Sequence, residues 1–261
     1  MAAGGRANDM TATATSDSLS IFRFASPPEF YRLAGWLAPW FAVLAALLAA
    51  IGLYLGFFIA PADAQQGDVY RVIFIHVPAA WMAMFLYLVM AFWAGVGLVF
   101  NTRLSSMLAH AIAPTGALMA ALALWTGAFW GRPTWGTYWV WDARLTSTLI
   151  LLFLYLGYLA LVAAIDEARR ADRASAVLAL VGAVNVPIIY FSVRWWNTLH
   201  QGSSIGPGSG QMARSMLAAM LVMVFAVWMY CIAVILIRVR AVILERERST
   251  GWAQAVATAS S

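Results

Sequence analysis

The side chains with chemistry to offer are three histidines, sixteen arginines and one dense run of tryptophans. The run reads Phe129-Trp-Gly-Arg-Pro-Thr-Trp-Gly-Thr-Tyr-Trp-Val-Trp-Asp142 and carries Trp130, Trp135, Trp139 and Trp141 beside Phe129 and Tyr138. Read as a helix from Trp135 onward, it would put Trp135, Tyr138, Trp139 and Asp142 on one face, with Trp141 pointing elsewhere. Tryptophan and tyrosine also gather at membrane interfaces, so an ordinary aromatic belt is the plain alternative. A belt spreads around a rim, whereas these residues sit in one segment, separated by Gly131 and Gly136. An apolar platform of this kind suits a large, flat ligand with a wet polar edge. A porphyrin has that shape, and guanidinium forks match its propionates. Neutral imidazole is a good iron ligand, and His76 and His200 lie on either side of the tryptophan run in sequence. The single Cys231, inside an apolar run, allows neither a disulfide within the chain nor a C-x-x-C-H attachment site.

The elements that must position these residues are membrane spans. Of 261 residues 63% are hydrophobic and 10% charged, with a mean hydropathy of +0.79. A soluble domain carries about 25% charged residues. Apolar runs long enough to cross a bilayer fall near 36–60, 77–100, 107–128, 147–165, 174–193 and 212–237. In lipid each run must satisfy its own backbone, so each is expected to be helical. The expected fold is an all-α integral membrane protein, a six-transmembrane-helix bundle with short loops. Pro187 is expected to kink or break the fifth helix. Residues 1–30 read as a tail without a cleaved signal pattern, 31–240 as the membrane domain and 241–261 as a second tail.

Every basic residue is an arginine, and their distribution orients the bundle. Arg6, Arg23, Arg32, Arg103, Arg169, Arg170, Arg173, Arg238, Arg240, Arg246 and Arg248 share one side. Arg71, Arg132, Arg144, Arg194 and Arg214 share the other. The positive-inside rule then expects both termini in the cytoplasm. It places His76, His200 and the tryptophan segment 129–146 together on the outer face. His110 falls near the inner end of the third span and reads as structural. The outer arginines stand against the charge bias, and an anionic ligand is one reason for keeping them, above all Arg132 and Arg194. Pairing with Asp63, Asp68 or Asp142, or with lipid phosphate, is the other. Asp142, just ahead of the fourth span, is suited to capping that helix. The pI near 9.7 reflects the charge bias across the membrane, since no basic stripe suited to nucleic acid is formed.

The stretch Trp135-Gly-Thr-Tyr-Trp-Val-Trp-Asp-Ala-Arg-Leu-Thr-Ser147 resembles the tryptophan-rich WWD signature of bacterial haem-handling proteins. Ser192-Val-Arg-Trp-Trp-Asn-Thr-Leu-His-Gln201 and His76-Val-Pro-Ala-Ala-Trp81 are similar to further signatures of the CcmC branch, which serves cytochrome c maturation. The resemblance runs through nearly the whole chain. It implies a protein of the bacterial inner membrane that holds haem b as cargo on the periplasmic side. It implies His76 and His200 as axial ligands and Trp130, Trp135, Trp139, Trp141 and Asp142 as the platform. Arg132, Arg144 and Arg194, with Arg71, then become candidates for the propionates. The partners it implies are a membrane-tethered, CcmE-like haem chaperone, the ABC transporter subunits CcmA and CcmB, and a small single-span subunit resembling CcmD. ATP use would belong to the transporter, and this chain would act as a carrier rather than an enzyme.

Three other readings use the same residues. A b-type cytochrome anchor would also need two histidines, but it holds haem between spans, whereas His76 and His200 sit at span ends. A permease usually marks its path with intramembrane charge, and the centres of these six runs hold almost none. A plain scaffold for a transporter would bind no haem.

Overall fold

The computed structural model describes residues 24–196 and 212–259. His200 lies outside the described residues. Among the described residues eight α-helices follow in order: α1 Pro27–Tyr54, α2 Ile73–Phe100, α3 Arg103–Trp135, α4 Ala143–Ala164, α5 Ala168–Gly182, α6 Asn185–Trp195, α7 Arg214–Arg246 and α8 Gly251–Ala259. A π-helical turn, Leu55–Ile59, extends α1, and a 3-10 turn, Asp68–Val72, leads into α2. No named strand occurs among the described residues. Among the described residues six helical stretches are long and apolar enough to span a membrane, with α5 and α6 together making the fifth. The all-α, six-span class expected from the sequence is the one observed.

The helices run longer than the apolar runs that marked them. The largest difference is in α3, which continues to Trp135, so the first half of the tryptophan run is helical and not a loop. Pro133 lies in the final turn of α3 and offers no amide to the Phe129 carbonyl. The helix stops at Gly136, whose φ of 80° is left-handed and strained for any residue with a side chain. Its amide donates to Arg132 O at 3.0 Å, closing the last turn. The fifth span breaks between Gly182 and Asn185, as the proline foretold. Pro187 has no amide to offer Ala183 O, and its ring crowds that carbonyl.

The core lies among α2, α3, α4 and α5 and is built on small residues that let large ones in. Tyr87 and Tyr155 meet edge-to-face with centroids 4.9 Å apart. Each fits only because a glycine faces it: a Cβ on Gly182 would fall 2.1 Å from the Tyr87 hydroxyl, and one on Gly116 2.2 Å from Tyr155 Cζ. Between apolar helices in lipid, such close packing supplies much of the association energy, because no hydrophobic force separates helix from lipid. The Tyr155 hydroxyl also donates to Ala83 O at 2.8 Å, an interhelical bond of a kind worth on average about 0.6 kcal/mol. Trp36, Trp40, Leu47, Phe92 and Val99 face outward, as a lipid-facing surface requires.

The two ends of the bundle differ in chemistry. At one end Arg246 pairs with Asp172 at 2.9 Å and Arg103 with Glu247 at 2.5 Å, tying α7 and the turn after it to α5 and α3. Arg240 lies over the Tyr31 ring, 4.4 Å from its centroid, and Trp252 of α8 packs against the same ring at 5.8 Å. The stretch after residue 240, read from sequence as a tail, is therefore mostly helix and partly docked. The opposite end carries the tryptophan run and His76.

Candidate haem site at the tryptophan end

His76 stands in the first turn of α2, half-buried against the last turns of α3. Its Nδ1 lies 3.1 Å from the Thr126 hydroxyl. Its ring meets Trp130 edge-on, with centroids 5.6 Å apart. Thr126 and Trp130 are one turn apart and so share a face of α3. Gly127 makes room between them, since a Cβ there would come within 3.0 Å of His76 Cε1. The Trp130 indole N–H donates to Gln66 Oε1 at 2.7 Å. Gln66 is itself held by a tight turn in which Asp63 Oδ1 accepts the amides of Gln65 and Gln66 at 2.9 and 2.8 Å. The loop between α1 and α2, the start of α2 and the end of α3 thus close around one imidazole.

Beyond Gly136 the chain is not helical, and it folds back over the end of α3. The single aromatic face expected for a helical Trp135–Asp142 does not form. Trp135 packs beside Gly131, and Trp139 meets Trp141 edge-on at 5.4 Å. Trp130, Trp135 and Trp139 are half-buried, whereas Trp141 is 77% exposed and Tyr138 55%. The crevice beneath the loop, lined by Gly127, Gly131, Trp135 and Trp139 among others, holds about 10 Å³. That is room for about one water, so a macrocycle could lie only against the loop and never beneath it. Asp142 caps α4, its carboxylate accepting the Leu145 amide at 2.7 Å. The Trp139 indole N–H is buried without a hydrogen-bond partner among the described residues. An unsatisfied buried donor of this kind is uncommon.

The arginines divide by what already holds them. Arg71 pairs with Asp68 at 2.9 Å and donates to the carbonyls of Gly56 and Ala60, closing the π-helical end of the first span. Arg132 donates to Gly136 O and lies over the Tyr138 ring, 5.7 Å from its centroid. Both therefore shape the local backbone. Arg144 sits in the first turn of α4, two residues beyond the capping Asp142. Arg194, in the last turn of α6, lies over Phe191 at 6.0 Å, and that ring stacks on Trp195 at 5.2 Å.

The structure thus brings His76 to Trp130 and Trp139 to Trp141, and it leaves Arg71 occupied elsewhere. Sequence reading missed Thr126, Gly127 and Gln66. None carries a local signal, because their partners are 50 or more positions away. His110 lies 16 residues before Thr126 on the same helix, about 24 Å along its axis. It belongs to the arginine end, apart from the tryptophans, as expected. Cys231 is buried in the core.

A family model described as heme exporter protein C matches residues 20–254. The chain is 45% identical over 238 residues to the heme exporter protein C of Escherichia coli K12, covering 89% of this chain and 94% of that protein. The same-named protein of Haemophilus influenzae is 43% identical over 235 residues, covering 90% and 96%. That of Bradyrhizobium diazoefficiens is 46% identical over 229 residues, covering 87% of each. Similarity at this level, extending through all six spans and the tryptophan run between them, places the chain in the heme exporter protein C family.

Proposed function

We propose that this chain holds haem b, as cargo, at the tryptophan end of the bundle and presents it there for the assembly of c-type cytochromes. Family membership supports haem handling in cytochrome c maturation. The observation that carries the finer reading is the half-buried His76 imidazole, set against Thr126 and Trp130 at the tryptophan end of α3. His76 and His200 supply the two axial nitrogens. Trp141 and Tyr138 offer outward-facing rings for the porphyrin, and Trp139 offers its indole N–H to a propionate. Arg144 and Arg194, with Arg132, complement the negative edge. The chain acts by holding and orienting, not as an enzyme.

The charge bias supports a cytoplasmic location for both termini and a periplasmic location for the tryptophan end of an inner-membrane protein. The recipient is a membrane-tethered haem chaperone of the CcmE type. The working complex includes ABC transporter subunits resembling CcmA and CcmB and a small CcmD-like subunit. The test is the absorption spectrum of the full chain, purified after co-expression with these partners, alongside His76→Ala and His200→Ala. A low-spin bis-histidine spectrum that is weakened or changed in spin state by each substitution supports the site. Haem retained unchanged in both variants would place the ligands elsewhere, and a wild type without haem would favour a scaffold.

A further inference from the structure

The Thr126 hydroxyl has one proton and two acceptors within reach on its own helix. It donates to Leu122 O at 2.7 Å, and Ala123 O lies at 3.3 Å. A threonine hydroxyl bonded back to the preceding turn of its helix is a common arrangement. Its proton is thereby committed along α3, and its lone pairs face His76 Nδ1 at 3.1 Å. A hydroxyl oxygen can then only accept from that nitrogen, so Nδ1 must carry the imidazole proton. In a neutral imidazole this puts the ring lone pair on Nε2.

The rest of the cradle restricts the ring's orientation without competing for the proton. Gly127 leaves space on the Cε1 side, and Trp130 packs edge-on with its own N–H committed to Gln66. Of these three neighbours, Thr126 is the one that hydrogen-bonds the ring.

We propose that Thr126 is a positioning residue for haem binding, holding His76 in the Nδ1–H tautomer with Nε2 directed as the iron ligand. This rests on the reading of His76 as an axial ligand. Residues that hold the second nitrogen of a metal-bound histidine typically change metal affinity about 10–100-fold when removed, because they fix the tautomer and make the ligating nitrogen more basic.

The test uses the full chain in detergent or nanodiscs. Thr126→Val keeps the shape and removes the hydroxyl, whereas Thr126→Ser keeps the hydroxyl. Haem affinity is expected to fall about 10–100-fold in Thr126→Val, with a shifted low-spin electron paramagnetic resonance spectrum and a shifted midpoint potential. Thr126→Ser is expected to restore all three. Wild-type affinity and spectra in Thr126→Val, alongside loss of the low-spin signal in His76→Ala, would overturn the role of Thr126 and leave the ligand reading standing. An unchanged signal in His76→Ala would overturn both.

Should Thr126→Val fail to fold, the wild-type apoprotein still decides the matter. Nitrogen-15 resonances of histidine-labelled protein, with His76 assigned by its loss in His76→Ala, report the tautomer directly. A protonated Nδ1 at His76 is expected, and a protonated Nε2 would overturn the proposal.

Discussion

Gly127→Ala adds one methyl group against the His76 ring and tests whether that ring is held where haem iron needs it. The new Cβ would lie 3.0 Å from Cε1, where carbon atoms prefer about 3.5–4.0 Å. The shortfall is about 0.5–1 Å. In the apoprotein the half-buried imidazole can turn about its own side-chain bonds to relieve the contact. In the haem-bound state the iron fixes it, so the strain falls on that state. Overpacking of this size costs typically about 1–3 kcal/mol, which corresponds to roughly 5–150-fold weaker haem retention. The assay is haem content and dissociation rate of purified Gly127→Ala, with thermal unfolding of the apoprotein measured in parallel. Gly157→Ala serves as the control, since its Cβ would meet only Leu178 Cδ2 at 3.2 Å, the end of a flexible side chain, and haem retention should not change. Wild-type retention by Gly127→Ala, in a protein whose low-spin signal depends on His76, would refute the claim that α3 fixes the ligand.

Three further outcomes follow from the same geometry. Trp139→Phe removes an indole N–H that has no partner among the described residues. It should leave thermal stability nearly unchanged while weakening haem retention several-fold, in line with the loss of one hydrogen bond of about 0.5–1.5 kcal/mol; equal retention in both proteins would show that the donor does not reach the cargo. Asp142→Ala should destabilise the start of α4 by about 1 kcal/mol, while Asp142→Asn, an equally good cap, should not; hydrogen exchange at the Leu145 amide reads the difference. Arg246→Ala strands the Asp172 carboxylate between α5 and α7 and should cost about 1.5–3 kcal/mol by denaturation, with little effect on haem at the other end, whereas replacing both partners by apolar residues should recover much of the loss.

The class of the fold was legible because the bilayer imposes it: apolar runs of this length have one way to satisfy their backbone, and six of them count out directly. The break at Pro187 was legible for the same local reason, a missing amide. The capping role of Asp142 was readable too, since a cap depends only on the next three residues. The tryptophan run stood out in the sequence, but the shared face that a helical Trp135–Asp142 would give does not form, because the chain leaves the helix at Gly136. Whether α3 ended at residue 128 or 135 turned on helix continuity past Pro133 and on Gly136 adopting a left-handed turn, which composition does not reveal. The helical, partly docked character of the stretch after residue 240 was not legible either, because the docking of Trp252 on Tyr31 joins opposite ends of the chain.

The sequence alone determined the solvent of this protein, its helical class, the bias of its charge and the types of side chain gathered near its loops. Those properties depend on composition and on spacings within a few turns. Only the tertiary structure decided which of those side chains meet. It set His76 against Thr126, 50 positions distant, and joined Gln66 to Trp130 across 64. It also turned Arg71 toward the carbonyls of Gly56 and Ala60, and Arg132 toward that of Gly136. Contacts of that range come from the packing of α2 against α3, and close packing depends on the whole surface of each helix, which no short stretch of sequence encodes.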